Sequence, residues 1–309
     1  MHPFAKKPRE AIAALGEEGL IRAIGRWLGS ANPAAPLGVG DDCAVLPRRT
    51  GRGLITVDSV IYGRHFDDSV SPRAVGAKLL KRNLSDLAAM GGRPVAAVLA
   101  LIVDGRVSVR WMEDFHRGLA ASARHYGVPL VGGDVSEVDS GLAASLTLLG
   151  APGGARLLTR TGARTGDWIF VTGVLGGSLR SGHHHRFRPR LSEGLWLARR
   201  REVRAMMDVS DGLAKDLRAL TPPGTRPALT TDALPRRRGC DLRATLTDGE
   251  DYELVFAVAR SADRRAFVRA WRRAFPRTRL SWIGYFAPAD RVPPDAVPLE
   301  DFHGYEHLR

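Results

Sequence analysis

The sequence is short of cysteine and has no long apolar run. Its two cysteines, Cys43 and Cys240, are too few for a disulfide framework and lack the neighbouring ligands of a zinc site, so we expect both to be small buried residues. The longest strongly apolar run, 95–103, is far shorter than the roughly 20 residues of a membrane-spanning helix. The N-terminal residues are typical of an amphipathic helix and lack the continuous apolar stretch of a signal peptide. These absences favour a cytoplasmic protein with no membrane partner.

Lysine is also scarce, although the formal net charge is +13. Five of the 46 basic residues are lysines and the other 41 are arginines. A strongly basic chain can attract nucleic acid, but arginine runs such as 199–201 and 236–238 are typical of solvated faces. We therefore do not expect a nucleic-acid partner. The positive field would instead help to attract anionic phosphate substrates.

The signatures of the commoner nucleotide-binding and hydrolytic sites are missing. No lysine follows a glycine as in a P-loop, and the kinase motifs HRD and DFG are absent. The segment GVGDDC lacks the third glycine of a dinucleotide-binding turn, and neither GxSxG nor HExxH occurs. If the chain binds ATP, metal ions must therefore make most of the contact with the phosphates.

Five short segments place aspartate beside glycine, serine or another aspartate. They are GVGDDC (38–43), TVDS (56–59), NLSD (83–86), GGD (132–134) and DVSDG (208–212). One such segment is an ordinary turn. The carboxylate groups of five such segments, at strand ends and loop junctions, repel one another unless cations lie between them. Because Mg²⁺ prefers oxygen ligands and often binds together with substrate phosphates, the segments predict a magnesium–polyphosphate site.

The hydrophobic patterns predict alternating strands and helices, with a domain boundary near APGGA (151–155). After the first helix, the expected helices cover 71–91, 108–126, 192–205 and 261–275, and a further helix is expected with Ser210 or Asp211 as its cap. Strands are expected in 38–47, 54–61, 94–103, 129–134, 141–150, 166–173, 249–259 and 280–286. The run His183-His184-His185 reads as an exposed loop and not as a metal site. His65, taken alone, reads as a structural histidine.

The motifs together resemble the thiamine-monophosphate kinase family. They are GVGDDCAVL, VDS…GRHF, NLSDLAAMG, GGD, LLTRTGARTGDWIFVTG, DVSDGLAKDL, GEDYEL and GYEHL, in order and over 38–305. This family belongs to the superfamily of aminoimidazole ribonucleotide synthetase. The resemblance implies a mixed α/β (α+β) fold with two domains: 1–151, which carries the metal and ATP site and dimerises, and 152–309. It also implies a homodimer in which the N-terminal domains pair into a β-barrel.

The resemblance further implies the reaction and the residues that carry it. The family transfers the γ-phosphate of ATP to thiamine phosphate, with Mg²⁺ as cofactor, giving thiamine diphosphate and ADP. The implied metal ligands are Asp42, Thr56, Asp58, Asp86, Asp134, Asp208 and Asp211. The implied catalytic residues are Asp42, Asp86, Asp134 and Arg160. Implied ATP contacts are Gly133, Asp134, Arg160 and Ser210, and implied thiamine phosphate contacts are His65, Glu250 and Tyr305.

Three segments differ from the family pattern. The chain reads GGDVSEVDS after the third strand, with Glu137 and Asp139 where less acid is usual, and DGEDYEL with Asp248 in place of a glycine. The segment between GGS and RPR is short. Two alternatives therefore stay open: another ATP-using enzyme of the same superfamily with a different substrate, or a non-catalytic protein that binds nucleotide or nucleic acid.

Overall fold

The computed structural model describes residues 2–32 and 53–305, which fall into two compact units. The first unit contains 1–84 and 94–151, and the second contains 85–93 and 152–309. The predicted domains, 1–151 and 152–309, differ from these units only in 85–93, and as separate folding domains they stay a prediction. The predicted strand over 38–47, with Asp42 and Cys43, lies outside the described residues.

The first unit combines helices with a four-stranded sheet. Its helices are α1 (Gly16–Leu28), α2 (Pro72–Ala89) and α3 (Val109–Tyr126), and its strands are β1 (Leu54–Ile61), β2 (Gly92–Val103), β3 (Leu130–Glu137) and β4 (Leu142–Pro152). The ends of α2 and β2 continue into the second unit. The strand order is β1-β4-β2-β3, with β1 antiparallel to β4 and β2 parallel to β3.

Local signals explain where the helices of this unit begin and end. The Ser108 hydroxyl accepts a hydrogen bond from the Trp111 amide and caps α3, which ends where Gly127 adopts the left-handed conformation. A Cβ atom on Gly76 of α2 would lie 2.0 Å from the carbonyl oxygen of Phe115, so the glycine allows α2 and α3 to pack closely. The predicted helices over 71–91 and 108–126 are confirmed.

The two faces of the first sheet differ sharply. On one face, Val60, Leu101 and Ala144 surround a gap too small for a water molecule together with Trp111 and Phe115 of α3, and all five side chains are buried. On the other face, alternate residues of β1 are open to solvent: Ile55 is 71% exposed and Val57 is 61% exposed. Ile61 of β1 and Val98 and Ile102 of β2 are exposed as well. The described part of this unit therefore leaves an apolar sheet face uncovered.

The second unit is built around a five-stranded sheet. Its strands are β5 (Trp168–Thr172), β6 (Val203–Val209), β7 (Thr225–Leu229), β8 (Glu253–Val258) and β9 (Leu280–Pro288). Its helices are α4 (His183–Arg186), α5 (Leu191–Ala198), α6 (Leu213–Leu220), α7 (Leu242–Thr247) and α8 (Arg264–Ala274). The strand order is β6-β8-β5-β9-β7, and all neighbouring pairs are antiparallel.

Both faces of the second sheet are covered. Ile169 and Val171 of β5 join one apolar cluster with Leu213 and Leu217 of α6, whereas Phe170 points into a second cluster. The second cluster contains Phe267 and Trp271 of α8, and also Ala88 and Ala89. Every residue of β8 is buried. The apolar clusters on both faces of this sheet are thus formed by residues of the unit itself.

Three features of this unit differ from what the sequence predicts. The helix predicted over 192–205 ends at Ala198, because Ala205 pairs with Ala257 in the sheet and begins β6 together with its neighbours. Strand β7 was not predicted; it contains Pro227 and lies at the edge of the sheet, where a missing amide is tolerated. Cys240 is half-buried rather than buried.

The histidine run is not an exposed loop, so that prediction is wrong. His183, His184 and His185 form the single helical turn α4, and His184 is only 7% exposed. The His183 Nε2 atom lies 3.0 Å from the carbonyl oxygen of Asp251. Contacts with a distant segment therefore place the turn. No helix in the described part of the chain is long and apolar enough to cross a membrane.

Candidate active site

The DVSDG segment (208–212) connects β6 to α6 and is held by a side chain from that helix. The carboxylate of Asp216 accepts hydrogen bonds from the backbone amides of Ser210 and Asp211, both at 3.0 Å. The expected capping by Ser210 or Asp211 is wrong. Gly212, at φ 106°, occupies the cap position, and no side-chain cap bond is made. A strand therefore ends in a short loop whose amide groups bind a buried carboxylate.

Asp216 is a residue of this site that sequence reasoning missed. It is buried on the apolar face of α6, and burial raises its pKa to about 7, while the amides of Asp211 and Ser210 and the charge of Arg160 lower it. The positive charge of the exposed Arg160 side chain thus acts on Asp216, the residue that holds this loop. A sequence signal existed, because Asp216 lies at the spacing of the apolar residues of α6 (Leu213, Leu217 and Leu220).

Glu250 is attached to the same loop through the backbone. Its amide donates to the carbonyl oxygen of Ser210 at 2.7 Å, and the amide of Tyr252 donates to that of Val209 at 2.8 Å. Glu250 and Tyr252 have φ values of 63° and 52°. A left-handed conformation costs a non-glycine residue about 1–2 kcal/mol, so the surrounding contacts must stabilise this segment.

Tyr305 reaches the loop from the C-terminal segment. Its amide donates to the carbonyl oxygen of Asp211 at 2.8 Å. The Lys215 ammonium group donates to the carbonyl oxygen of Tyr305 at 2.6 Å and pairs with the Asp211 carboxylate at 2.8 Å. Two predicted substrate contacts, Glu250 and Tyr305, are therefore both joined to residues 208–212.

A buried hydrogen bond joins two of the predicted metal-binding segments. The Ser85 hydroxyl of NLSD donates to the Asp208 carboxylate of DVSDG at 2.7 Å, and both side chains are buried. Asp86, the neighbour of Ser85, is half-buried in the last turn of the helix, as predicted. Within the second unit, the predicted ligands Asp86 and Asp208 thus belong to segments in direct contact.

In the first unit, the predicted site residues lie on different strands. Thr56 and Asp58 belong to β1 and Asp134 belongs to β3, which are the two edge strands of the sheet. Three strand spacings separate these strands by about 14 Å. Asp58 and Asp134 were expected at strand ends or junctions, but both lie inside strands, because the sheet extends past the apolar run of each segment. Within this unit, the fold does not bring Asp58 and Asp134 together.

The local contacts of these residues are structural. The Arg82 guanidinium pairs with Asp58 at 3.0 Å, and the Ser136 hydroxyl donates to Asp134 at 2.8 Å. A Cβ atom on Gly133 would lie 2.0 Å from the carbonyl oxygen of Leu99, so the close approach of β2 requires glycine there. These contacts give each residue a packing role beside its predicted one.

His65 lies in the turn after β1 and is half-buried. Its Nδ1 atom accepts a hydrogen bond from the Ile61 amide at 3.1 Å, so this nitrogen carries no proton. The buried Lys78 ammonium group donates to the carbonyl oxygen of His65 at 2.8 Å. These bonds fix the orientation of the imidazole ring.

The predicted metal ligands suit Mg²⁺ in their chemistry, because they are hard carboxylate and hydroxyl oxygens. Among the residues that the structure describes, no three acidic, histidine or cysteine side chains are grouped closely enough to hold an ion. Asp42 lies outside those residues. Asp58 pairs with Arg82 and Asp211 pairs with Lys215, so an ion at either carboxylate would share it with a basic side chain.

Comparison with known proteins decides the family. Residues 40–151 match the family described as "AIR synthase related protein, N-terminal domain". The thiamine-monophosphate kinase of Salmonella typhimurium is 32% identical over 326 residues, which cover 96% of this chain and 99% of that protein. The chain belongs to the thiamine-monophosphate kinase family.

Solved structures agree with this membership. The crystal structure of thiamine-monophosphate kinase from Stenotrophomonas maltophilia has a TM-score of 0.71 and 30% identity, covering 93% of this chain and 95% of that one. A structure described as AaThiL complexed with AMPPCP and TMP has a TM-score of 0.70 and 27% identity, covering 96% of this chain and 98% of that one. The mixed α/β fold with two sheets and the kinase class are therefore confirmed. The roles of individual residues stay predictions.

Proposed function

We propose that this chain transfers the γ-phosphate of ATP to thiamine phosphate, giving thiamine diphosphate and ADP. The observation that carries the proposal is the assembly around residues 208–212, where Glu250 and Tyr305 are joined by backbone hydrogen bonds and Ser85 holds Asp208. Relatives named thiamine-monophosphate kinase, and a related structure complexed with AMPPCP and TMP, support the same substrates.

Phosphate transfer between these two substrates depends on their alignment and on charge neutralisation more than on a general base. A phosphate monoester has its second pKa at about 6, so the attacking oxygen is mostly ionised at neutral pH. The exposed Arg160 would contact the ATP phosphates and stabilise the transferring group, with Ser210, Gly133 and Asp134 as further ATP contacts. The hydrogen bond from Ser85 fixes the orientation of the Asp208 carboxylate, which favours precise placement of the phosphates.

We infer that Mg²⁺ binds the acidic segments. The residues that would hold it are Asp42, Thr56, Asp58, Asp86, Asp134, Asp208 and Asp211. When bound, the ions neutralise the polyphosphate and reduce the repulsion between the two anionic substrates. Arg82 and Lys215 add positive charge beside Asp58 and Asp211.

The thiamine end carries a positive charge, which suits an acidic and aromatic lining. Glu250 supplies a carboxylate, and Tyr305 supplies a ring that is 47% exposed. His65, held by Ile61, would contact the phosphate of the acceptor. Under this proposal, Glu250 and Tyr305 recognise the thiamine end of the acceptor, and His65 recognises its phosphate.

We also infer that the chain forms a homodimer through its first unit. The exposed residues Ile55, Val57 and Ile61 lie on β1, and among the described strands β1 and β3 are the edges of the sheet. Large exposed apolar faces mark interaction sites. A second copy of the same sheet would cover this face and continue the strands into a closed barrel. A cytoplasmic location, where ATP is available, stays a prediction.

The deciding experiment is a kinase assay with purified protein, ATP and thiamine phosphate, with thiamine diphosphate separated by chromatography. We expect product only in the presence of Mg²⁺, and none with EDTA. Unphosphorylated thiamine serves as the control acceptor. Absence of thiamine diphosphate over a range of Mg²⁺ concentrations would refute the proposal. ADP release with another acceptor from a substrate panel would favour a different enzyme of the superfamily.

A further inference from the structure

The segment 176–187, which ends just after α4, has a place in the fold that the proposed reaction leaves unexplained. Five of its residues contact residues 248–252. The Gly176 and Gly177 amides donate to the carboxylates of Asp251 and Asp248, both at 2.7 Å. Ser178 donates to the carbonyl oxygen of Gly249, the His183 ring bonds the carbonyl oxygen of Asp251, and the Phe187 ring stacks on Tyr252.

The segment that receives these contacts is strained. Glu250 and Tyr252 are the non-glycine residues with positive φ in the described part of the chain. Such conformations persist only when the surrounding structure holds them in place, and they concentrate at functional sites. The buried Asp251 between them is fixed on the other side by the Arg237 guanidinium at 3.2 Å.

Two of these contacts, made by His183 and Phe187, connect the segment 176–187 to the neighbours of Glu250. The Nε2 atom of His183 lies 3.0 Å from the carbonyl oxygen of Asp251, which can only accept, so the ring nitrogen must donate. The rings of Phe187 and Tyr252 are stacked, with centroids 3.9 Å apart and planes inclined by 21°. The Tyr252 hydroxyl then donates to the Glu250 carboxylate at 3.3 Å.

We propose that His183, Phe187 and Tyr252 are positioning residues that hold the Glu250 carboxylate toward the thiamine end of the substrate. The proposal rests on the proposed function, because it takes Glu250 as a substrate contact. It assigns a role to the histidine run, because the His183 ring donates a hydrogen bond to the strained segment 250–252. No metal is involved. The expected consequence is selective: thiamine phosphate binding depends on these residues, whereas ATP binding does not.

The kinetic test compares Tyr252→Phe, which removes only the hydroxyl and keeps the ring stack, with the wild type. Loss of one hydrogen bond to a carboxylate corresponds to an increase of about five- to tenfold in KM for thiamine phosphate. KM for ATP should stay within about twofold. Tyr285→Phe is the control, because it removes the hydroxyl of a second tyrosine of the same unit, a half-buried residue of β9.

His183 is tested by a pair of variants. His183→Ala should raise KM for thiamine phosphate by a similar factor, and His183→Gln, whose amide can donate to Asp251, should restore it. An unchanged KM in both Tyr252→Phe and His183→Ala would overturn the proposal. So would equal losses for both substrates with a lowered melting temperature, since these indicate general destabilisation.

Hydrogen exchange separates this proposal from the proposed function. The amides of Glu250 and Tyr252, which bond Ser210 and Val209, should exchange about tenfold faster in His183→Ala, and at the wild-type rate in His183→Gln. If the exchange rates are unchanged in His183→Ala, the proposal that His183 stabilises residues 250–252 is wrong, whatever the kinase activity of the variant. If His183→Ala exchanges faster but the wild type makes no thiamine diphosphate, the proposed function is refuted, whereas the stabilising role of His183 is not.

Discussion

The two sheets of this protein differ in how their apolar faces are covered. The five-stranded sheet of the second unit has apolar clusters on both faces, and all residues of β8 are buried. The four-stranded sheet of the first unit packs α3 on one face and leaves Ile55 and Val57 exposed on the other. Among the described residues, the second sheet is therefore covered on both faces, whereas the first leaves exposed apolar side chains on one face, and such exposed faces often mark interaction sites.

Each unit also buries an ionisable side chain whose pKa is shifted by burial, and the two shifts have opposite directions. In the first unit, burial lowers the pKa of His116 to about 4, so this ring is neutral in the core. In the second unit, burial raises the pKa of Asp251 to about 7, opposed by the Gly176 amide and by Arg237. The first unit therefore buries a neutral base, and the second holds its strained turn through a buried acid.

The largest expected effect tests whether Asp86, which lies beside the buried hydrogen bond between Ser85 and Asp208 in the second unit, is needed for catalysis. Asp86→Asn removes a predicted metal ligand next to Ser85 while keeping its size. We expect turnover to fall by about 1,000-fold, or about 4 kcal/mol, because charge stabilisation in the transition state is lost. The melting temperature should change little. Asp290→Asn, on an exposed side chain, is the control, and normal turnover in Asp86→Asn would refute the metal assignment.

The second prediction concerns the first unit and its pH dependence. The unfolded chain protonates histidine at a pKa near 6.5, whereas the folded chain resists protonation of His116 until about pH 4. Stability is therefore complete above pH 6.5 and is lost as the pH falls toward 4, by at most about 3 kcal/mol. His116→Leu should flatten this slope in denaturant titrations, whereas His125→Leu, on the exposed side of α3, should keep it. A slope unchanged in His116→Leu contradicts the assignment.

The third prediction tests whether the exposed sheet face needs a partner. Replacing Ile55 and Val57 with glutamate places two charges on the face that would be buried in a dimer. We expect the dimer to weaken by about 30-fold, or about 2 kcal/mol, measured by analytical ultracentrifugation. Leu179→Glu is the control, since Leu179 is 67% exposed in the second unit. A wild type that is monomeric at high concentration would remove the basis of this prediction and contradict the dimer.

The smallest expected effect concerns the orientation of Asp208. Ser85→Ala removes the hydroxyl that donates to this carboxylate at 2.7 Å. Supporting bonds to metal ligands are typically worth at least about tenfold in metal affinity, or about 1.4 kcal/mol. We expect the Mg²⁺ concentration for half-maximal activity to rise by about that factor, with Ser85→Thr restoring it in part. An unchanged Mg²⁺ dependence would show that the bond serves packing alone.

Local signals decided the elements that could be predicted from the sequence. The helix over 108–126 was predictable because Ser108 caps it and Gly127 ends it through contacts within a few residues. The order of the aspartate motifs was enough to indicate the family, because each motif is a short contiguous stretch. The left-handed conformation of Glu250 had no such signal, because its support comes from α4, more than 60 residues away.

By itself, the sequence determined the family, the helices with clear ends and the list of candidate site residues. Only the tertiary structure decided that 203–205 is a strand, that Pro227 lies on an edge strand and that Asp216 holds the DVSDG loop. The separation of Asp58 and Asp134 on opposite edges of a sheet was also decided there. The physical reason is that strand pairing and buried polar contacts depend on which distant residues meet, and these partners can outweigh local propensity.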